Sequence, residues 1–449
     1  MNKDGILFAV GLLLLIAAAG VPAQQQAEKK DLDLVGYHDL QGRGAYQPVI
    51  TEQGGRWIAY IGHHGGALRN PLTRAVEDNG TSIIDVTDPH APRYLHHIPG
   101  ERGSGAQMVR VCKGSDLPRA GRGKVYLLRT LGDSAHEIWD VTRPEKPFHL
   151  VTVVRGLHGT HKNWWECDTG IAYLVSGVPG WRTSRMTQIY DLGDPAKPVF
   201  IRNFGLPGQQ PGASGEVPTG LHGAISTGPK GNRVYFGHGT NSDGILQIVD
   251  RKRLLNGPKE STTENLRYPQ IARFDLPPSY GAHTAFPVLG MDLPESSGRL
   301  GRRDFVVVTN EALGEGCGGT RQKVWLIDVT DEARPEVAST WELDDRIGNF
   351  CARPGRVGAH SSHENFTPVY YRRIMFIAHF NAGVRAVDIR DPYHPKEIAY
   401  YVPAGGGRTV HTNNVEVDDR GYIYIVDRAG AGLHILELTG EARKIANFR

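Results

Sequence analysis

Short apolar runs with alternating side chains recur along the chain, and each ends in an acidic residue followed by a turn. In most copies the turn contains proline, as in Ile84-Asp85-Val86-Thr87-Asp88-Pro89. The alternation predicts a buried β-strand, the carboxylate can accept hydrogen bonds from the following turn, and proline favours that turn. The acidic positions of the seven copies are Asp85, Asp140, Asp191, Asp250, Asp328, Asp388 and Glu437.

Two further β-like runs precede each acidic residue, and one edge strand follows it, as in Val199–Phe204. Most copies are roughly 50–60 residues apart, which is the size of a four-stranded propeller blade. The longest interval, between Asp250 and Asp328, indicates insertions near residues 252–264 and 291–303. The pattern therefore predicts an all-β fold, a seven-bladed β-propeller with four-stranded blades. Either residues 33–40 or residues 443–448 would complete the last blade.

Composition agrees with a fold of strands and turns. The chain of 449 residues contains 56 glycines and 28 prolines, and no long segment of the mature part shows a convincing helical period. A closed all-β array of this length can be a single domain. The formal net charge is only +3, from 51 basic and 48 acidic residues, so no nucleic-acid partner is expected.

The N-terminus resembles a secretory signal. An apolar run from Ile6 to Ala19 follows Lys3, and Val21-Pro22-Ala23 supplies small residues for cleavage. We therefore predict a signal peptide over residues 1–23, a single propeller domain over 24–449, and a periplasmic or secreted protein. Asp4 offsets Lys3, so an uncleaved membrane anchor stays an alternative, and it is the only predicted membrane association.

Export would place the four cysteines in an oxidising compartment, where disulfides persist. The repeat register places Cys112 and Cys167 at the ends of equivalent strands, and Cys317 and Cys351 in loops on one face. This favours the pairings Cys112–Cys167 and Cys317–Cys351. A thiolate metal site is the weaker alternative, because the chain has no C-x-x-C spacing.

A histidine recurs in register near the start of five predicted inner strands. Alignment of all seven inner strands gives a ring at the propeller axis that consists of Gln47, Gln107, His158, His222, His283, His360 and His411. A single such histidine is most often structural. Five imidazoles around one channel would repel each other when protonated, whereas a bound cation would use their neutral form.

The ring therefore predicts a transition-metal site with His158, His222, His283, His360 and His411 as ligands. Nitrogen donors suit copper, zinc or iron, and export favours copper. His161 and His363 follow their ring histidines by three residues, an odd offset that turns a strand side chain to the other face. In a loop the same offset could bring both to the metal, which makes them weaker ligand candidates. We assign them, with Glu311, to proton transfer beside the metal.

The repeated run of β-strand, aspartate, Val-Thr and Asp-Pro resembles the LVIVD-repeat family of β-propellers over nearly the whole mature chain. This resemblance implies the propeller architecture and little about activity. The histidine-lined arrangement is similar, more distantly and only in layout, to the selenium-binding protein and methanethiol oxidase propellers. That second resemblance implies a metal held by histidines.

These observations lead to two principal hypotheses. In the first, the protein is a metal-dependent oxidoreductase that acts on a small-molecule substrate. In the second, it is a binding or scaffold propeller that docks a protein or cell-surface ligand on its loop face, with a structural metal or none. A metal-dependent hydrolase or lyase is a third possibility. Propellers host many unrelated functions, so the fold does not choose between them.

Overall fold

A computed structural model describes residues 26–293, 301–344 and 347–448. The predicted signal peptide, residues 1–23, lies outside the described residues. Antiparallel sheets dominate the described part of the chain.

The first two strands do not pair with the strands that follow them in sequence. Both join the sheet that the C-terminal part of the chain forms. They are β1 (Glu28–Lys30) and β2 (Leu32–His38), and a 3-10 turn at Leu40–Gly42 follows. The next strands are β3 (Ala45–Gln53), β4 (Arg56–His64), β5 (Ala67–Arg69), β6 (Val76–Asp78), β7 (Thr81–Asp85), β8 (Arg93–Ile98) and β9 (Gly105–Ala106). They form a sheet in the order β3-β4-β7-β8, with β9 beside β4 and β5-β6 as a separate hairpin.

Four sheets of four strands follow, each in simple meander order. The first of them contains β10 (Val109–Lys113), β11 (Val125–Leu131), β12 (Ala135–Asp140) and β13 (Phe148–Arg155). The second contains β14 (Asn163–Trp165), β15 (Ile171–Ser176), β16 (Met186–Asp191) and β17 (Val199–Phe204). The third contains β18 (Leu221–Ser226), β19 (Arg233–His238), β20 (Ile245–Asp250) and β21 (Gln270–Asp275). The fourth contains β22 (Thr284–Asp292), β23 (Arg302–Thr309), β24 (Val324–Asp328) and β25 (Glu336–Trp341).

The remaining strands form one nine-stranded sheet, which consists of two runs joined by a single residue pair, Phe380 with Thr412. The first run contains β26 (Val357–Ser362), β27 (Ile374–Phe380), β28 (Val384–Asp388) and β29 (Lys396–Val402), with β1 paired to β29. The second contains β30 (Thr412–Val417), β31 (Ile423–Asp427) and β32 (Leu433–Leu438), with β2 paired to β32. Of the two segments expected to complete the last unit, the N-terminal one therefore does so.

Helices are few and short in the part of the chain that the structure describes. They are α1 (Gly228–Gly231), α2 (Arg251–Asn256), α3 (Thr263–Arg267) and α4 (Gly440–Arg443), with 3-10 turns at Phe350–Ala352 and Gly405–Gly407. The helices α2 and α3 occupy the first of the two predicted insertions. No helix in the described ranges has the length and apolar character needed to span a membrane.

The six repeated aspartates end the third strands, as the alternating pattern predicts, and Glu437 lies one residue before the end of β32. The Asp85 carboxylate accepts a hydrogen bond from the backbone N–H of Thr87 at 3.0 Å, and Asp140 accepts one from Thr142 at 2.9 Å. These bonds satisfy backbone donors of the turn. Asp250 differs, because it caps helix α2 instead.

The apolar core lies between the faces of neighbouring sheets rather than within one central layer. Leu246 and Ile248 of β20, for example, share a buried cluster with Val306 and Val308 of the next sheet. Burial of each such side chain stabilises the fold by about 1.5–3 kcal/mol. Each unit is therefore stable only against its neighbours.

The first strand of each unit faces a central channel. The inner strands contact each other in turn, in the order β3, β10, β14, β18, β22, β26 and β30, and β30 returns to β3. The arrangement is a propeller-like, closed all-β array. It places residues at the starts of inner strands close together although they are far apart in sequence.

Two disulfides join the described cysteines in the predicted pairing, Cys112–Cys167 and Cys317–Cys351. Cys112 lies on the inner strand β10, and Cys167 follows β14 of the next sheet. The first disulfide therefore connects two neighbouring units. The second closes a loop at the end of the channel that carries Glu311.

Removal of the first disulfide should lower stability substantially. The double variant Cys112→Ser/Cys167→Ser opens a loop of 55 residues and should lose about 2–4 kcal/mol of unfolding free energy, because the unfolded chain regains conformational freedom. Urea unfolding without reductant measures this loss. The wild-type protein in reductant serves as the control and should lose at least as much. Equal midpoints for variant and wild type without reductant would contradict the prediction.

Candidate metal centre

Four histidines from neighbouring units meet at one end of the channel, and all four are buried. His161 lies just before β14, His222 lies in β18, His283 lies directly before β22, and His360 lies in β26. These inner strands contact each other in turn. The four imidazoles consequently follow one another around part of the channel wall.

A local irregularity in the strand directs His222 into the channel. Leu221 pairs with His238 and Gly223 pairs with Gly237, so two residues of β18 advance while β19 advances by one. His222 is therefore the extra residue of a β-bulge, and bulges turn a side chain out of the regular alternation. A similar register shift in β26 surrounds the histidine of that strand.

The imidazoles form a continuous chain of contacts. The Nε2 atoms of His161 and His222 are 2.8 Å apart, and the Tyr46 hydroxyl lies 3.1 Å from the same His161 nitrogen. The ring centroids of His222 and His283 are 3.7 Å apart, and those of His283 and His360 are 4.5 Å apart.

Glu311 adds a carboxylate to this chain from the loop after β23. Its Oε2 atom lies 3.9 Å from His283 Nε2, and its Oε1 atom lies 3.6 Å from His360 Nε2. Both distances exceed a hydrogen bond. One ligand atom each from His222, His283 and Glu311 lies within 4.8 Å of the others, a spacing that could hold a metal ion.

Contacts at the opposite ring nitrogens orient the imidazoles. His222 Nδ1 lies 2.9 Å from the carbonyl oxygen of His283, and His360 Nδ1 contacts the carbonyl oxygen of Asn413. A carbonyl only accepts, so both Nδ1 atoms carry the proton and donate it. The Nε2 atoms of His222 and His360 then present lone pairs to the cluster, as metal ligation requires.

Burial keeps the cluster uncharged. It holds the pKa values of His161, His222, His283 and His360 well below the usual histidine value, and nearby positive groups lower them further. Burial also raises the pKa of Glu311 to about 7, against the opposing effect of nearby arginines. At neutral pH the imidazoles are therefore uncharged, and each can offer a nitrogen lone pair to a metal ion.

Two of these imidazole nitrogens have no hydrogen-bond partner within the described part of the chain. The Nε2 atoms of His283 and His360 are both buried and without a hydrogen bond. A buried polar atom left unpaired costs about 1–3 kcal/mol. Neutral imidazole nitrogens and one carboxylate oxygen fit the ligand preferences of zinc, copper and iron(II). A bound cation would satisfy both nitrogens at once.

A second group of buried polar residues lies beside the histidines in the channel. The Glu364 carboxylate forms ion pairs with Lys162 and Arg110. The Lys162 ammonium also donates a hydrogen bond of 3.1 Å to the Thr284 hydroxyl, and that hydroxyl lies 3.0 Å from His283 Nδ1. Thr284 thus connects the charged group to the candidate metal centre.

Glu416 completes the charged group. Its carboxylate is fully buried and accepts a 3.0 Å hydrogen bond from the Val417 backbone N–H. Burial, together with the Glu364 charge, raises the pKa of Glu416 to about 8. Burial alone would also raise the pKa of Glu364, but Lys162 and Arg110 lower it to about 2. One carboxyl is therefore protonated and the other ionised at neutral pH.

The structure brings together His222, His283, His360, His161 and Glu311, but it places His158 elsewhere. His158 is exposed and lies in an isolated bridge with Gly177. The alignment of the ring is wrong in this unit, because the backbone N–H of His161, not that of His158, bonds to Val175 of the second strand at 3.0 Å. His161 consequently occupies the place expected for His158.

His411 and His363 also lie outside the cluster. The Nε2 atom of His411 accepts a 2.8 Å hydrogen bond from the backbone of Arg356, and the bulged region two residues later places Asn413 against His360 instead. His363 is buried beside Phe286, and its Nδ1 atom accepts a hydrogen bond from the backbone of Phe376. The odd offset that separates His363 from its ring histidine does turn it away.

Of the two amides in the predicted ring, Gln47 is buried and donates a 3.0 Å hydrogen bond to the Pro48 carbonyl, whereas Gln107 is half-buried. The sequence interpretation missed Tyr46 and the charged group around Lys162. A signal for the latter was present, since Lys162 and Glu364 are charged residues that directly follow histidines near buried strands.

Comparison with known proteins supports the fold. The chain matches no family model and no curated protein. Among solved structures it is similar to Sqt1 from Chaetomium thermophilum, with 8% identity and a TM-score of 0.52, over 91% of this chain and 99% of that one. A second Sqt1 structure, bound to the N-terminus of the ribosomal protein L10, matches with 9% identity and a TM-score of 0.44, over 89% of each chain. At these identities the likeness concerns the fold alone.

The opposite pKa shifts of the two buried carboxyls predict opposite effects on stability when each is replaced by glutamine. Glu416 is protonated in the folded protein between pH 4.5 and about 8, whereas it ionises on unfolding, so its contribution to stability is lost as the pH rises through this window. Glu416→Gln should therefore stabilise the protein by about 1–3 kcal/mol at pH 8 and hardly at all at pH 4.5.

Glu364→Gln is the matched comparison, because it leaves Lys162 and Arg110 without their carboxylate. It should destabilise the protein by about 3–5 kcal/mol at neutral pH. Urea unfolding midpoints at several pH values measure both effects. Destabilisation by Glu416→Gln at pH 8 would show that this carboxyl is ionised in the folded protein.

Proposed function

We propose that this protein is a seven-bladed β-propeller that binds one divalent transition-metal ion at its axis. The count of seven treats the nine-stranded sheet as two blades joined by one bridge, and the closed cycle of inner strands supports it. The observation that carries the metal proposal is the pair of buried, unpaired imidazole nitrogens of His283 and His360 beside Glu311.

The proposed ligands are His222, His283, His360 and Glu311, with His161 as a further nitrogen donor. Three of the five ligands predicted from sequence are retained, and His161 replaces His158. The carboxylate broadens the choice of metal, because zinc and iron(II) accept mixed nitrogen and oxygen donors as readily as copper accepts imidazoles. When bound, the ion would supply Lewis acidity or, if it is copper or iron, a redox couple.

The burial of the ligand set favours a binding propeller with a structural ion over an enzyme. His283 and His360 have no accessible surface, and a closed set of four or more protein ligands is typical of structural sites. The ligands come from neighbouring blades, so a shared ion would cross-link those blades across the channel. In this proposal the loop face is the surface that binds a partner, and the ion holds that face in shape.

A metal-dependent reaction, by an oxidoreductase or a hydrolase, is the second candidate. The observation that favours it is the position of the Glu311 carboxyl, 3.9 Å from His283 Nε2 and 3.6 Å from His360 Nε2, together with burial that raises its pKa to about 7. Such a group can both accept and donate a proton near neutral pH. His161 and Tyr46 could exchange a proton, because the Tyr46 hydroxyl lies 3.1 Å from His161 Nε2.

Export of the protein is part of the same proposal. The two disulfides support an oxidising compartment such as the periplasm or the exterior of the cell. A copper, zinc or iron site would then be loaded outside the cytoplasm.

Metal analysis tests the proposed site directly. The purified mature protein should contain about one transition-metal ion per chain, and His222→Ala/His283→Ala should contain almost none, because it removes two neighbouring ligands. His149→Ala is the matched control, since this histidine is partly exposed and lies on an outer strand. Unchanged metal content in the double variant, or no bound metal in the wild type after incubation with zinc, copper and iron(II), would overturn the proposal.

Cobalt substitution separates the structural role from the catalytic one. In a closed site, azide should leave the visible spectrum of the Co²⁺-loaded protein unchanged, and removal of metal should lower the melting temperature by several degrees. An open coordination position would instead let azide shift the spectrum. That shift, with little effect of the metal on melting, would favour the enzyme.

A further inference from the structure

Three arginines lie at the same end of the channel as the histidines, on three different units. Arg185 precedes β16, Arg356 precedes β26, and Arg428 follows β31. All three side chains are half-buried. They therefore form part of the channel entrance rather than an outer, fully solvated rim.

Backbone contacts fix these arginines next to the candidate metal centre. The Arg185 carbonyl accepts a 3.0 Å hydrogen bond from the N–H of Leu221, the residue before His222. The Arg428 backbone approaches Gly44 so closely that a Cβ at this glycine would lie 2.4 Å from the Arg428 carbonyl oxygen. These contacts fix the backbone positions of Arg185 and Arg428.

Arg356 is held from two sides. Its backbone N–H donates to His411 Nε2 at 2.8 Å, and its Nη1 atom donates to Glu311 Oε1 at 3.3 Å. The guanidinium also lies over the ring of Phe380. His411 therefore positions an arginine at the channel entrance, a role different from the metal ligation expected for it.

Among the described residues, Arg356 is the member of this group with an ion pair, which it forms with Glu311. The Glu311 carboxylate pairs with Arg356 at 3.3 Å and also acts on Arg185 and Arg428, and Asp133 is a second carboxyl that acts on Arg185. The guanidiniums of Arg356 and Arg428 repel each other: burial first, and then this repulsion, lowers the pKa of Arg428. Burial likewise lowers the pKa of Arg185.

Two of the guanidiniums also lack acceptors. Among the described residues, the side chains of Arg185 and Arg428 form no hydrogen bond or ion pair with any protein group. A guanidinium presents a planar fork of donors that matches the oxygens of a carboxylate or a phosphate. The three half-buried guanidiniums come from separate units and all act on Glu311, and two of them have no acceptor, so together they are suited to one small anion.

We propose that Arg185, Arg356 and Arg428 bind the oxyanion group of a small molecule, a carboxylate or a phosphoryl group, at the channel entrance above the histidine cluster. This inference deepens the proposed function, on which it rests for the metal ion that holds the histidine cluster below the anion. The arginines themselves belong to the chain, so they should retain some affinity for the anion without metal. The neutral histidines and Tyr46 would form the floor of this subsite.

The test uses inorganic phosphate and malonate as probes, titrated calorimetrically into the mature protein at low salt. Each titration is performed on metal-free protein and on protein loaded with one equivalent of Zn²⁺. Arg185→Met and Arg428→Met should each weaken binding about 10-fold or more, and the double variant should abolish it. Arg428→Lys should give an intermediate loss, because it keeps the charge and loses the fork.

Arg334→Met is the matched control, because Arg334 is an exposed arginine that pairs with the exposed Asp331. It should bind both probes like the wild type. Tighter binding of phosphate would assign a phosphoryl-bearing ligand, and tighter binding of malonate a carboxylate. The inference is overturned if neither probe binds the wild type in either state, or if Arg334→Met weakens binding as much as Arg428→Met does.

The two proposals can fail separately in this design. Binding of a probe that depends on Arg185 and Arg428, in a protein that takes up no metal, would sustain the oxyanion subsite and overturn the metal site. Stoichiometric metal that depends on His222 and His283, without binding of either probe, would do the reverse.

Discussion

The pairing of β2 with β32 is the contact on which the rest of the structure depends. A strand near the start of the chain completes the last sheet, so the array closes and the inner strands surround a channel. Without this closure the sheets would have free edges, and their inner faces would not be held around a common axis. The histidines and arginines would then remain on separate units, because each unit contributes only one or two of them.

Much of the fold could be predicted from the sequence because it rests on local, repeated signals. The alternation before Asp85 and its equivalents determines the third strands, and the carboxylate marks the turn that follows. Both disulfide pairings also followed from register, whereas the closing strand did not: the sequence left the N-terminal and C-terminal segments as alternatives, and the pairing of β2 with β32 decides between them. The resemblance to the LVIVD-repeat family stays a prediction, since the chain matches no family model.

The candidate site was harder to predict, because a few backbone bonds decide which side chain enters the channel. Spacing alone aligned His158 with His222. The backbone hydrogen bond from His161 to Val175 shows that His161, three residues later, is the residue equivalent to His222. The partner of an imidazole can also be a carbonyl, as for His360 and Asn413, and a carbonyl leaves no signal in a sequence. The buried charged residues are the part of the site that could have been predicted, since Lys162 and Glu364 are charged residues near buried strands.

The bulge at His222 separates the residues that make the fold from those that make the site. In a regular strand, a change of side chain alters either the packing between sheets or the channel wall, and neighbouring positions compensate with difficulty. A bulged residue lies outside that alternation, so its side chain can be exchanged while the flanking pairs stay in register. The same scaffold could therefore be given a different set of donors, one inner strand at a time, without redesign of its core.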